Sequence, residues 1–365
     1  MLDRRVFFQI DWVLIGSALA LALMGVAMIY STEGVAHLGW RKIIHLKQLL
    51  WIIFGLFGLL LAMNTNWTTV ARFSYVLYGF NLGCLLLVAV IGRRGMGAQR
   101  WISLGPMNFQ PSELMKIALI LALAKYLSER GEEMKRPRQL LVPALFALVP
   151  TLLIIRQPDL GTAIILLLTT LGMLLLFGLP SKYLLYSIVT GLLAFPFVWG
   201  LLRGYQKQRI LGFLNPQNDP LGSGYHIIQS QIAVGSGRLL GKGWMAASQS
   251  QLNFLPEHHT DFIFAVSAEQ LGFLGCLLIL LLYFLVLSRG FLIARQGRDL
   301  FSTLLAGGIV IMIFLQIVVN VGMVTGLMPV VGIPLPLMSY GGTSMLTTML
   351  SIGLLLNIRM QRYLY

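Results

Sequence analysis

Long apolar runs occupy most of this chain and constrain it more than any other feature. Bounded by polar or Gly/Pro clusters, they fall near 11–31, 46–63, 70–91, 113–128, 139–155, 160–178, 182–201, 262–287, 301–326 and 336–358. Each approaches the roughly 20 residues that a helix needs to cross a bilayer core. Only 11% of the 365 residues are charged, against roughly 25% in an average soluble domain, so a water-soluble globule is excluded. The expected fold class is all-α: a polytopic integral membrane protein of about ten transmembrane helices. The span 1–365 reads as a single transmembrane domain, with no internal repeat, low-complexity tract or soluble domain. The first run follows Arg4 and Arg5 and is too long for the apolar region of a cleaved signal peptide, so it reads as an uncleaved anchor. Arg156, Gln157, Pro158 and Asp159 separate the fifth and sixth runs. Two charges and a proline are costly at mid-bilayer, which places that turn at the interface. Cys84 and Cys276 lie inside apolar runs and read as small apolar residues.

The formal charge is +14, from 27 Lys and Arg against 13 Asp and Glu. The cations are scattered between hydrophobic segments along the whole chain, which argues against nucleic acid. They favour anionic lipid head groups or a phosphorylated substrate at the membrane surface. With both termini in the cytoplasm, Arg4, Arg5, Arg72, Arg130, Lys135, Arg136, Arg138, Lys182, Arg289, Arg295, Arg298, Arg359 and Arg362 fall inside, as the positive-inside rule prefers. Arg41, Lys42, Arg93, Arg94, Arg100 and Arg156 then lie in short outer loops. That excess of external cations asks for a separate reason.

One connection stands apart, the stretch 202–261 on the outer face. A loop of that size inside a compact domain is usually functional or disordered. Here Tyr225 to Val234 is amphipathic at helical spacing and could lie along the membrane surface. Glycines 222, 224, 235, 237, 241 and 243 supply turns around it.

In a protein so poor in carboxylates, the acidic residues near the outer half carry the information. They are Glu113, Asp159, Asp219, Glu257, Asp261 and Glu269. Asp261 is the sharpest candidate, closing Pro256-Glu-His-His-Thr-Asp261 just before the apolar run from Phe262. Either Thr260 or Asp261 could cap the following helix, and capping is compatible with catalysis. The helix N-terminus favours an ionised carboxylate, whereas partial burial opposes it. Glu113 and Lys116 share one helix face at i,i+3 after the Pro111-Ser112 start signal, and an internal ion pair is the favoured reading. Asp159 reads as a helix cap or an arginine partner. Arg203, Lys207, Arg209, Arg238 and Lys242 in the long loop, with Arg93, Arg94 and Arg100, could surround a diphosphate, because guanidinium forks match phosphate oxygens. His226, His258 and His259 lack zinc-ligand spacing, though a loosely held divalent ion between Asp261 and phosphates fits the chemistry. The Gly- and Pro-broken string from Asn320 to Ser344 must be buried in protein or line a cavity at that depth.

That last string resembles the SEDS family of cell-wall proteins. So do Gln99-Arg-Trp-Ile102 leading to Phe109-Gln-Pro-Ser-Glu113, Gln157-Pro-Asp-Leu-Gly-Thr162, and Pro256-Glu-His-His-Thr-Asp-Phe-Ile-Phe-Ala265. The motifs occur in family order over nearly the whole length. The short termini and Gly224-Tyr-His-Ile-Ile-Gln-Ser230 favour the elongation branch of the family over the division branch.

The resemblance implies a multi-pass protein of the bacterial inner membrane with ten helices, both termini cytoplasmic and the active site periplasmic. Its implied activity is peptidoglycan glycosyltransfer, polymerising undecaprenyl-linked lipid II into β-1,4 strands for lateral wall elongation and releasing undecaprenyl diphosphate. Its implied partners are a class B penicillin-binding protein, which is a transpeptidase, and other elongation-complex proteins. Carried over by motif, Asp261 is the essential carboxylate, and Glu113 with Lys116 the pair that shapes the cavity. The expected chemistry is an inverting displacement with Asp261 as general base. Arg209, Lys207, Arg100 or Lys116, or a divalent cation such as Mg2+ or Mn2+, would meet the diphosphate, with no organic cofactor. The competing readings are a lipid II flippase and a non-catalytic scaffold for the transpeptidase. Charges clustered outside, rather than at the midplane, speak against the flippase.

Overall fold

The computed structural model describes residues 10–33, 44–95, 98–104, 107–131, 137–180, 204–218, 224–246 and 259–361, with individual positions between 182 and 200. Its helices are α1 Trp12–Thr32, α2 Ile44–Asn64, α3 Trp67–Ile91, α4 Pro111–Arg130, α5 Leu141–Arg156, α6 Leu160–Leu176, α7 Gly204–Leu214, α8 Tyr225–Ser236, α9 Ile263–Arg295, α10 Leu300–Val324 and α11 Gly342–Gln361. Among the described residues, six of these are long and apolar enough to cross a membrane, namely α1, α2, α3, α9, α10 and α11. The shorter apolar α5 and α6, the buried and more polar α4, and the helical positions from 182 to 200 complete a layout consistent with the expected spans. Exposed stripes such as Ile53, Phe57 and Leu61 on α2, or Phe273, Leu277 and Phe284 on α9, are tolerable only against lipid. This is a multi-pass membrane protein.

Side-chain chemistry explains where the helices begin. Asp11, Asp159 and Asp299 each cap a helix by accepting from the amide three residues on, at 3.1, 3.2 and 2.8 Å. Pro111 opens α4, where its missing N–H would go unpaired in any case.

Three differences from the sequence expectation have physical causes. The stretch after α3 is not a plain loop. It holds β1 Arg93–Gly95, β2 Ala98–Leu104 and β3 Met107–Phe109, an antiparallel sheet in the order β1-β2-β3 with Arg93 opposite Trp101 and Ile102 opposite Phe109. α9 continues past residue 287 because its Arg289 pairs with Asp11 at 2.9 Å, so that charge does not end the helix. α11 starts at Gly342 rather than near 336 because Pro334 and Pro336 lack amide donors and Leu337 sits at φ 67°.

Polar ties brace the bundle at both ends. At one end, Asp11 is buried and receives Arg289 and Arg359, joining α1, α9 and α11. There too the Asn357 amide donates to the carbonyls of Ala62, Met63 and Thr65 at 3.0, 2.8 and 2.7 Å, finishing the end of α2. At the other end, Glu33 meets His45 at 2.6 Å, the Gln270 amide donates to Ser31 at 2.8 Å, and Gln48 donates to the Ser339 carbonyl at 3.1 Å. This second end also carries the sheet, the turn between α5 and α6, and the start of α9.

Candidate functional site

Asp261 stands at that second end, half-buried, in the turn 259–262 that leads into α9. Phe262, not Thr260 or Asp261, occupies the N-cap position of α9, and its own side chain makes no cap hydrogen bond. The capping expectation is corrected here: the turn ends one residue beyond Asp261, so its carboxylate is not at the N-cap.

Hydrogen bonds from α10 and from the irregular segment 325–341 hold the turn in place. Asn320 of α10 donates to the Asp261 carbonyl at 3.0 Å and to the Ile333 carbonyl at 2.7 Å. Ser339 donates to the Thr260 carbonyl at 2.6 Å and accepts from the Leu335 amide at 2.8 Å. The Tyr340 amide donates to the His259 carbonyl at 2.9 Å. Burial pushes the Tyr340 phenol above its ordinary value, so it stays neutral at physiological pH. Across the turn lies Gly332, at φ +74°, where an added Cβ would come within 3.3 Å of Asp261 Oδ2. The string from Asn320 to Ser344 thus forms a wall of the Asp261 site, the role expected of non-helical backbone in a membrane bundle.

Glu113 and Lys116 pair at 2.8 Å, both buried, and Glu113 Oε2 has no hydrogen-bond partner among the described atoms. Asp159 is a hub. Besides capping α6 it accepts from Thr162 Oγ1 at 3.0 Å and Gln110 at 3.2 Å, and it lies 3.8 Å from Arg100. Arg100 also donates to the carbonyls of Gln157, at 3.2 Å, and Pro158. The guanidinium on β2 therefore fastens the sheet to the α5–α6 turn.

On α7, the Lys207 ammonium lies 5.9 Å from the Trp199 ring centroid. Arg209 and Gln206 line a small cleft of about 20 Å³ with Pro158, Leu160, Pro329 and Val331. That cleft shares a wall with the Asp261 site, since Pro329 to Val331 runs directly into Gly332. Asp159, Arg209 and Asp261 are thereby gathered around one stretch of backbone.

Asp219, Arg203, Glu257 and His258, and the side chains of Arg93 and Arg94, lie outside the described residues. Among the described residues, no group of three His, Cys, Asp or Glu side chains could hold a metal ion. The described part of the site does not by itself build a cation site. Sequence reasoning missed Asn320 as the clasp of the Asp261 turn, the Arg100 anchor and the Lys242–Glu269 pair at 2.6 Å. An Asn within the apolar α10 is the one local signal that could have drawn attention, because such a group needs partners in lipid.

A lipid-facing helical bundle with a half-buried carboxylate clasped at one end, beside an arginine-lined cleft, defines a membrane-embedded protein with a polar site at its surface. Residues 11–364 match the FtsW–RodA–SpoVE family, described as "Cell cycle protein", and the chain belongs to that family. Among its relatives is the Escherichia coli K12 "Peptidoglycan glycosyltransferase MrdB", 45% identical over 288 residues that cover 78% of each chain. Another is the Bacillus subtilis "Stage V sporulation protein E", 39% identical over 97% of this chain and 98% of the relative. Solved structures share the fold. One, "Structural coordination of polymerization and crosslinking by a peptidoglycan synthase complex", matches with a TM-score of 0.82 at 35% identity, over 97% of this chain and 98% of the other. The rod shape determining protein RodA of Thermus thermophilus matches with a TM-score of 0.73 at 32% identity and the same coverage.

Proposed function

We propose that this protein is a peptidoglycan glycosyltransferase that polymerises lipid II into β-1,4 glycan strands during lateral wall elongation, with Asp261 as general base. Family membership along residues 11–364 supports the activity, and names such as that of the E. coli relative support the reaction class. The observation that carries the mechanism is the half-buried Asp261, held by backbone clasps where the bundle meets its surface.

In this reading the 4-hydroxyl oxygen of the acceptor's terminal GlcNAc attacks C1 of the donor sugar. Its proton goes to Asp261, and the C1–oxygen bond to the undecaprenyl diphosphate breaks as the β-1,4 linkage forms. A single displacement inverts the anomeric centre and needs no covalent enzyme intermediate. Taking that proton is worth about 10²–10⁴-fold in such reactions. Negative charge builds on the departing diphosphate. Arg209, lining the adjoining cleft, is the best placed of the expected cations to meet it, with Lys207 on the same helix. Arg100 and Lys116 act instead as positioning groups, through the α5–α6 turn and the Glu113 pair. Grooves between the lipid-facing helices accept the polyprenyl tails.

The proposed setting is the bacterial inner membrane with both termini cytoplasmic and the Asp261 end periplasmic, alongside a class B penicillin-binding protein. The peptidoglycan synthase complex among the structural relatives supports such a partner. The test is purified protein with that partner and lipid II in detergent. Glycan polymer from wild type, and none from Asp261→Asn, is the expected result. Equal polymer from both would remove the base, and lipid translocation without polymer would favour a flippase.

A further inference from the structure

α9 is not one helix. At Gly272 the backbone takes φ 65° and ψ −163°, which separates a short outer half, 263–271, from the lipid-facing remainder. Such a break frees amides and carbonyls that a membrane helix cannot leave unpaired. The segment from Arg238 to Gly243, a strap that follows α8, supplies their partners. The amides of Lys242 and Gly243 donate to the carbonyls of Glu269 and Gln270 at 2.9 and 3.2 Å, and the amides of Phe273 and Leu274 donate to the carbonyls of Arg238 and Leu239 at 2.8 and 3.2 Å. The fit leaves no room for a side chain at the break, since a Cβ on Gly272 would lie 2.6 Å from the Leu239 carbonyl oxygen.

A charge pair locks the same joint. Glu269 is fully buried, and its carboxylate meets Lys242 at 2.6 Å. Lys242 keeps its solvent while Glu269 does not, so removing the lysine strands a buried carboxylate, and the pair specifies one arrangement of the joint. Glu269 lies eight residues beyond Asp261, roughly 12 Å along the helix that begins beside it. From its middle α8 grips the opposite wall of the site, where Ser230 donates to the Val324 carbonyl at 3.0 Å and Gln231 to the Thr325 carbonyl at 3.3 Å. That wall runs on to Gly332, against Asp261. α8 and the strap therefore span both sides of the site.

We infer that Lys242 and Glu269 are positioning residues, which pin the detached half-helix 263–271 to α8 and so fix Asp261 relative to Gly332. The inference rests on Asp261 being the base. The strap stands in place of the continuous backbone ladder that an unbroken helix would have. Loosening it frees the half-helix that Asp261 leads into and leaves the lipid-facing half of α9 intact.

The experiment pairs amide hydrogen exchange with steady-state kinetics on the full chain in detergent, using lipid II as the probe and the transpeptidase partner present. In Lys242→Met, exchange within 263–271 should rise about tenfold while that of 275–295 is unchanged. kcat should fall about tenfold with KM within about twofold, the pattern of a misplaced catalytic group. Lys242→Arg should restore both. Glu269→Gln is read the same way if Lys242→Met does not fold. Unchanged exchange in 263–271, a rise spread evenly over all helices, or no recovery with arginine would overturn the inference. Full activity in Asp261→Asn would remove the base instead, and the exchange result would still judge the strap on its own.

Discussion

The side-chain amide of Asn320 reaches two strands of backbone at once, donating to the carbonyl of Asp261 at 3.0 Å and to that of Ile333 at 2.7 Å. One fully buried amide on α10 therefore sets the spacing between the residue that carries the carboxylate and the segment that faces it. It works beside the direct bonds from Ser339 and Tyr340 to the same turn, so the two sides of the site are registered to each other from within α10 as well.

Asn320→Ala should strand both carbonyls. Each unpaired buried group costs about 1–3 kcal/mol, so the melting temperature in detergent should fall clearly. Polymerisation by the folded fraction should fall further than that loss explains, because small displacements of a catalytic group cost about 10²-fold. Thermal melts beside initial rates on lipid II check both. An activity loss that merely tracks the folded fraction would contradict the prediction.

Gly332→Ala places a methyl group 3.3 Å from Asp261 Oδ2 on backbone at φ +74°. The left-handed conformation alone should cost about 1–2 kcal/mol, and the crowded carboxylate should lose proton-accepting geometry. The expected outcome is a drop in kcat at nearly unchanged KM, measured by glycan formation against lipid II concentration. A change confined to KM would mean that Gly332 touches substrate rather than the carboxylate.

The Glu113–Lys116 pair should show strong coupling. Breaking a buried pair on one side costs about 3–5 kcal/mol, whereas replacing both partners with apolar groups is often close to neutral. Glu113→Leu with Lys116→Leu should therefore melt higher than either single variant. Additive losses across the double-mutant cycle would show that the two side chains act independently.

Asp11→Asn keeps the cap of α1, since asparagine caps as well as aspartate, but removes the charge shared by Arg289 and Arg359. The expected loss is about 1–3 kcal/mol, less than for a sealed pair because both guanidiniums retain some solvent. The cluster lies at the end of the bundle away from Asp261. kcat and KM of the folded protein should match wild type, and a changed KM would show that the two ends communicate.

The spans were legible because hydrophobic runs of bilayer length admit few alternatives, and α8 followed from the 3.6-residue pattern over Tyr225 to Val234, two residues short of its end at Ser236. Asp159 declared itself by standing before Leu160-Gly161-Thr162, and the Glu113–Lys116 pair by its i,i+3 spacing. What remained hidden depends on distant partners. Nothing near Arg100 says that it will hold the α5–α6 turn, and nothing near Gly272 says that a strap about thirty residues upstream will mend a broken helix there. The small sheet stayed hidden because Arg93, Arg94 and Arg100 read as loop charges, and β2 is short in sequence between Gly97 and Gly105.

The Pro334–Tyr340 segment hangs from side chains on two helices, with Tyr283 of α9 donating to the Pro336 carbonyl and Gln48 of α2 to that of Ser339. A small molecule wedged between α2 and the start of α11 would part Gln48 from Ser339, and Ser339 is what holds Thr260. Such a compound would work as a noncompetitive inhibitor. Rising substrate levels would not displace it, and resistance to it would arise on α2, at residues that hold no carboxylate.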